Sequence, residues 1–133
     1  MNMAGRTFEH TLSDNLTKLQ LVEFEGQKRL HIRKFHDGYA THTGVWLQER
    51  EITHFLDIQY DINRAFEERN EWVYPFNDYF VVTCYRSGTV DFRYTYRRED
   101  GLVIYSKKKG ITLKRHLIEE IFKILREEYR INY

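Results

Sequence analysis

The sequence contains a single cysteine, Cys84, so no disulfide can form within the chain and a reducing compartment is expected. Proline occurs once and no Gly/Ser tract appears, so composition marks no linker or low-complexity segment past an N-terminal arm. No apolar stretch approaches the length of a membrane span, and MNMAGRTFEH lacks the apolar centre of a signal peptide. A soluble, intracellular protein with no membrane partner is expected. Catalytic signatures are also missing: there is no phosphate-binding glycine loop and no nucleophile elbow. His31, His36 and His42 have no cysteine or carboxylate at metal-ligand spacing, and Glu67-Glu68, Glu119-Glu120 and Glu127-Glu128 read as solvated helix faces. Neither an enzyme nor a bound cofactor or metal is expected. Formal net charge is only +1, which as a total argues against a strong polyanion binder.

Aromatic residues are plentiful. They make up 16% of 133 residues, with ten tyrosines and nine phenylalanines, more rings than a core of this size needs, so some must be exposed. The charge is unevenly spread. Residues 1–77 carry nine Lys/Arg against twelve Asp/Glu, whereas residues 78–118 carry nine against four. A local basic field is hidden in the near-neutral total.

The chain also repeats itself. KLQLVEFEG, from Lys18, and RLHIRKF, at 29–35, alternate apolar and polar residues like half-buried strands, with Gly26 suited to a hairpin turn. A loop at Asp37-Gly38, the stretch THTGVWL and a helix from about Gln48 to about Asn70 follow. The helix carries Ile52, Phe55, Gln59, Ile62 and Phe66 on one stripe, widened by Leu56 and Ile58. In the second half, YFVVTCYRSG (79–88), TVDFRYTYRR (89–98) and LVIYSKKK (102–109) read as strands. GITL then leads into a helix with Leu117, Ile121, Leu125 and Tyr129 on one face, flanked by Ile118 and Phe122. Gly44-Val45-Trp46-Leu47 corresponds to Gly110-Ile111-Thr112-Leu113. Each half is too small to bury its own sheet and helix, so the two should share one core.

The segments EGQKRLHIRKFH and TGVWLQEREITHFL resemble the C-terminal domain of the transcriptional coactivator PC4 (p15) family, and VDFRYTY with KKKGITL resembles it in complementary places. The two matches cover most of residues 18–128. The resemblance implies an α+β fold of two β-β-β(-β)-α repeats, with curved antiparallel sheets and paired helices. Both halves of the family's dimer would then lie in one chain, as a pseudodimer akin to the whirly proteins. The implied boundaries are a flexible arm at 1–15, half-domains at 16–70 and 78–133, and a connector at 71–77. The family's turn phenylalanine corresponds to Phe24 and its strand arginine to Arg33, while His36 replaces the aromatic three residues on. In the second half Tyr85 or Arg86 corresponds to the turn aromatic, Arg93 to the strand arginine, Tyr96 to the aromatic beyond it, and Lys108-Lys109 to the basic pair before the glycine. Glu25 and Gln27, and His42 and Thr43, stand where the first half would need basic residues.

Single-strand binding without sequence preference needs cations for phosphates and aromatic faces for bases. Tyr85, Arg86, Arg93, Tyr94, Tyr96, Arg97, Arg98, Tyr105 and Lys107–Lys109 interleave the two types; of these all but Tyr94 and Tyr105 are candidates, and Phe24, Arg33, Phe35 and His36 are the first-half candidates. Strand parity puts Arg93, Thr95 and Arg97 on one face, and Phe92, Tyr94 and Tyr96 on the other unless a bulge shifts the register. The expected function is a non-catalytic, nuclear protein that binds single-stranded DNA, a melted duplex or RNA and works with the transcription or replication machinery. Further assembly of the pseudodimeric chain stays open. The alternatives are a protein–protein scaffold of the same fold with weak or lost DNA binding, and a small nuclease using scattered carboxylates.

Overall fold

A computed structural model describes residues 6–127, without the side chains of Arg6 and Phe24; Tyr129 of the expected helix stripe lies outside the described residues. The fold is α+β. Its elements are β1 (Arg6–Thr11), β2 (Thr17–Phe24), β3 (Gln27–His36), β4 (Tyr39–Gln48), α1 (Glu49–Asp57) and α2 (Gln59–Glu68), then β5 (Trp72–Asn77), β6 (Phe80–Tyr85), β7 (Thr89–Arg97), β8 (Val103–Lys114) and α3 (Arg115–Glu127). The order of four strands and then helix thus occurs twice.

Four connecting turns are built where glycine supplies a positive φ, at Gly26, Gly38, Gly88 and Gly101. The strands between them alternate as a one-sided sheet should. Leu19 and Leu21 of β2, Leu30 and Ile32 of β3, and Val45 and Leu47 of β4 are all buried on one face. Val82 and Cys84, Val90 and Phe92, and Ile111 and Leu113 do the same in β6, β7 and β8. Cys84 lies in this core with its thiol pushed up to about 12 by burial, consistent with a small inert hydrophobe.

All eight strands form one sheet, in the order β1-β2-β3-β4-β8-β7-β6-β5. Every pairing is antiparallel except β4 with β8, which run parallel and meet at Thr43 and Gly110. The sheet is therefore mixed, where sequence reasoning expected two antiparallel sheets. The physical reason lies in the helices. β4 and β8 each run directly into a helix five residues beyond Gly44 or Gly110. Parallel strands deliver α1 and α3 to the same end of the sheet, where the Phe55 and Phe122 rings stack 4.8 Å apart. One core cluster contains both.

Other differences follow from local chemistry. The expected connector at 71–77 contains strand β5, whose Trp72 and Tyr74 rings stack at 5.2 Å, and the expected arm contains strand β1 from residue 6. Both are outer strands and pair on one side only, so their short and irregular sequence patterns betray little. The single expected helix at 48–70 is two. Ile58, at φ −84° and ψ 0°, separates them, and its N–H still reaches His54 O. The buried residues Ile52, Phe55, Ile62 and Phe66 keep the expected three- and four-residue spacing across the break.

Candidate nucleic-acid interface

The two halves carry the same local construction at the centre of the sheet. Arg33 of β3 is paired with Gly44 of β4, and Arg93 of β7 with Gly110 of β8; immediately beyond each pair the register shifts. Phe35 is next opposite Ala40, so residues 41–43 bulge out across from Lys34. Thr95 is next opposite Tyr105, so residues 106–109, Ser-Lys-Lys-Lys, bulge out across from Tyr94. A hydroxyl closes each bulge. Thr41 Oγ1 accepts the Thr43 N–H at 3.2 Å, and Ser106 Oγ accepts the Lys109 N–H at 2.9 Å. The partner strand is re-tied in the same way on both sides: the Phe35 N–H reaches Leu16 O at 2.7 Å, and the Thr95 N–H reaches Tyr79 O at 2.8 Å.

The extra residues lie in β8, so the alternation of β7 itself continues and Tyr94 still packs against the core with Phe92. Tyr96, of the same parity, is nonetheless 57% exposed, while Thr95 is buried beside the groove. Lys107, Lys108 and Lys109 are exposed on the bulge instead of lying flat along a strand, and no ion pair forms on them among the described residues.

Where β4 and β8 meet, the two halves enclose a groove of about 640 Å³. The first half contributes Arg33, His42 and Trp46, and the second contributes Tyr94, Tyr96, Lys108 and Lys109, with Gly44 and Thr95 completing the wall. Among the described residues, no carboxylate lines it. Arg33 Nη1 donates to Thr41 O at 2.9 Å, which holds the guanidinium beside the bulge without neutralising it. Tyr94 crosses from one half to the other: its hydroxyl accepts the Trp46 N–H at 3.1 Å and lies 3.4 Å from Trp46 O. The Tyr94 ring is in turn set by stacking on Tyr79 and by edge contact with Phe80.

Sequence reasoning placed thirteen residues in the interface, and the fold separates them. Arg33, Tyr96, Lys108 and Lys109 converge on the groove, with Lys107 on the same bulge. Phe35 lies under Lys18, whose Nζ is 4.6 Å from the ring centre. His36 is at the β3–β4 turn beside Asp37, 3.2 Å away. Tyr85 and Arg86 flank the β6–β7 turn, at the end of β7 remote from Tyr94; six strand residues at about 3.3 Å each put that turn roughly 20 Å away. Arg97 and Arg98 lie past the bulge toward the β7–β8 turn, where Arg98 pairs with Asp100. Phe24 ends β2, and its side chain lies outside the described residues.

Arg93 differs most from its expected role. Its Nη2 lies 2.6 Å from Asp91 Oδ1, the pair is mostly buried, and Thr112 Oγ1 donates to the same carboxylate at 2.7 Å. The bond to Asp91 raises the guanidinium pKa and occupies its charge. The corresponding neighbours of Arg33 are His31 and Trp46. Cation density on the open face is therefore greater in the first half of the chain than the lysine triplet alone suggests. Trp46 is not a sequence candidate, because it fits an ordinary strand pattern, and strand parity assigns Tyr94 to the core face with Phe92. The signal available was Trp46 against Thr112 at the matching place after the glycine.

His31 reports on this cationic face. Burial, followed by the charges of Arg33 and Arg29, holds its imidazole below the ordinary 6.5. As pH falls, the unfolded chain takes up a proton at His31 before the folded chain does. The contribution to stability is thus complete above about pH 6.5 and is lost as pH drops toward the folded value. His31→Gln is expected to make the urea midpoint fall less between about pH 7 and 5 than in the parent. An equally steep fall in both proteins would show that His31 is not depressed.

Among the described residues there is no group of three or more His, Cys, Asp or Glu that could hold a metal ion, and no helix long and apolar enough to cross a membrane. No family model, no curated protein and no solved structure matches the chain.

Proposed function

We propose that this protein binds single-stranded nucleic acid without catalysing a reaction, using the groove at the β4–β8 junction. One observation carries the reading: three cationic side chains (Arg33, Lys108, Lys109), His42 and three aromatic ones (Trp46, Tyr94, Tyr96) share a groove that no carboxylate among the described residues lines. Cations follow the phosphates, and rings accept bases that a flexible strand can turn outward. The twice-used order of strands and helix supports a PC4-like arrangement of two fused half-domains, each contributing one wall of the groove. Such a protein would serve as a cofactor in transcription or replication, in the nucleus, on single-stranded DNA, melted duplex or RNA.

The test is binding to single-stranded and duplex DNA of equal length across a range of salt. The single strand should bind more tightly, with log affinity falling by about 0.7 per log unit of salt for each phosphate neutralised. Arg33, Lys108 and Lys109 together allow a slope near 2. Equal affinity for both forms, or binding indifferent to salt, would sink the proposal.

A second reading has its own observation. Beyond the bulge, Tyr96, Leu102, Val103 and Tyr105 are all exposed on the β7–β8 hairpin, while Arg98 there is already paired. This surface suits a protein partner better than a polyanion. A salt-insensitive partner bound through that hairpin, with no affinity for single strands, would favour the scaffold.

A further inference from the structure

We infer that Trp46 is the stacking platform for one unpaired nucleobase, so that the chain holds a single strand at one asymmetric site and not at two equivalent ones. The inference rests on the single-strand reading of the groove and adds to it the residue, the stoichiometry and the half that dominates.

Repetition of the fold would by itself predict two sites, one per half. The side chains contradict that symmetry. Trp46 lies on β4 between the core residues Val45 and Leu47, so its ring stands on the open face opposite His31, and it remains 39% exposed. The Arg29 guanidinium lies 5.3 Å from the ring centre and steadies the indole. The backbone beneath is held by Tyr94 from the other half, through the bond from the Trp46 N–H. A large, flat and partly exposed ring is thereby fixed between cations: Arg33 on its own side, Lys108 and Lys109 on the facing bulge. Stacking on such a ring needs no particular base, since every base has a π-face.

The matching place in the second half is Thr112. Its hydroxyl is bonded to Asp91, and Asp91 holds Arg93. That position has no ring, and the arginine beside it is already neutralised by a carboxylate. A phosphate approaching it would have to displace a nearly buried ion pair, whereas one approaching Arg33 meets a guanidinium whose hydrogen bond among the described residues is to a carbonyl. One half stacks and the other supplies lysines.

The chain has two tryptophans, and Trp72, stacked on Tyr74 in β5, is the other. In a Trp72→Phe protein, Trp46 is the only indole. Titration of that protein with an oligothymidylate of about eight nucleotides should be followed by indole fluorescence and by anisotropy of the same oligonucleotide carrying an end label. We expect indole quenching that tracks anisotropy and saturates at one oligonucleotide per chain. Trp46→Thr, which installs the residue of the second half, should weaken binding by about 5- to 150-fold, the equivalent of losing one stacked base. Trp46→Phe should retain most of the affinity. Anisotropy that reports binding while the indole signal stays unchanged overturns the inference and leaves the single-strand reading standing. So does saturation at two oligonucleotides per chain with equal affinity, or an unaltered affinity in Trp46→Thr. Absence of any anisotropy change overturns the single-strand reading itself, and the inference with it. Should Trp46→Thr fail to fold, the quenching and stoichiometry of the Trp72→Phe protein still decide.

Discussion

Phe55→Ala is expected to cost about 3–5 kcal/mol of folding free energy, the usual range for deleting a buried phenylalanine that leaves a cavity. Phe55 is 0% exposed. It stacks on Phe122 with centroids 4.8 Å apart and meets Phe92 edge-on at 5.6 Å. Phe55 belongs to the first run of elements, Phe92 and Phe122 to the second. Removing its ring therefore opens the place where the halves are joined, and neither half can close the gap alone. Against a total stability of about 5–15 kcal/mol for a domain this size, the loss is large. Urea denaturation should show one transition with a lower midpoint and an unchanged slope. Tyr39→Ala provides the control: at 78% exposure at the start of β4 it should stay within about 0.5 kcal/mol of the parent. Two separate transitions in the parent protein, with only one moved by Phe55→Ala, would show that the halves fold independently and that the ring does not join them.

The same residues explain how far the fold can be read from the chain. The apolar steps at Ile52, Phe55 and Leu56 and at Leu117, Ile121 and Leu125 mark helix faces, because burial of one side imposes that spacing. Strand alternation from Leu19 to Leu21 or from Ile111 to Leu113 has the same origin at period two. Parity does not say where a strand outruns the core or where its partner bulges. Tyr96 shares the parity of Phe92 yet is exposed, and four residues of β8 oppose one of β7 where Ser106 Oγ accepts the Lys109 N–H. No periodicity records it.

The candidate site was legible by residue type and not by partner. Lys107–Lys109 and Arg33 are plainly basic in the sequence. Whether an arginine keeps its charge available depends on what stands across the strand or two residues along. Arg93 has Asp91 and Thr112 there, and Arg33 has His31 and Trp46. The first of these contacts could have been foreseen, since positions i and i+2 share a strand face. The contact between Tyr94 and Trp46 could not, because it spans two elements that meet only through the parallel junction.

That junction depends on two glycines, and Gly110→Ala is expected to be the more damaging change at either. Gly110 has φ +155°, a conformation that residues with a Cβ rarely adopt, and an added Cβ would lie 2.4 Å from Phe92 O. The Arg93 guanidinium, 2.8 Å from the same point, is held in place by Asp91 and has little room to withdraw. A backbone carbonyl cannot move aside without breaking the β7–β8 ladder. Overpacking costs about 1–3 kcal/mol and the unfavourable backbone conformation about 1–3 kcal/mol more. A combined loss of about 3 kcal/mol or greater is expected. Gly44→Ala meets Ile32 O at 2.8 Å but has no positive φ, so it should lose only the overpacking share. Gly26→Ala, at φ +76° with nothing within 4 Å, should lose only the backbone share, about 1–2 kcal/mol. The order Gly110, then Gly44 and Gly26, should appear in the urea midpoints. Because Gly110 follows Lys109 and faces Arg93, its replacement should also weaken single-strand binding at a denaturant-free salt concentration where the folded protein still predominates. If Gly110→Ala is no costlier than Gly26→Ala, the strands do not approach as closely as the junction requires, and the groove between the halves loses its structural basis.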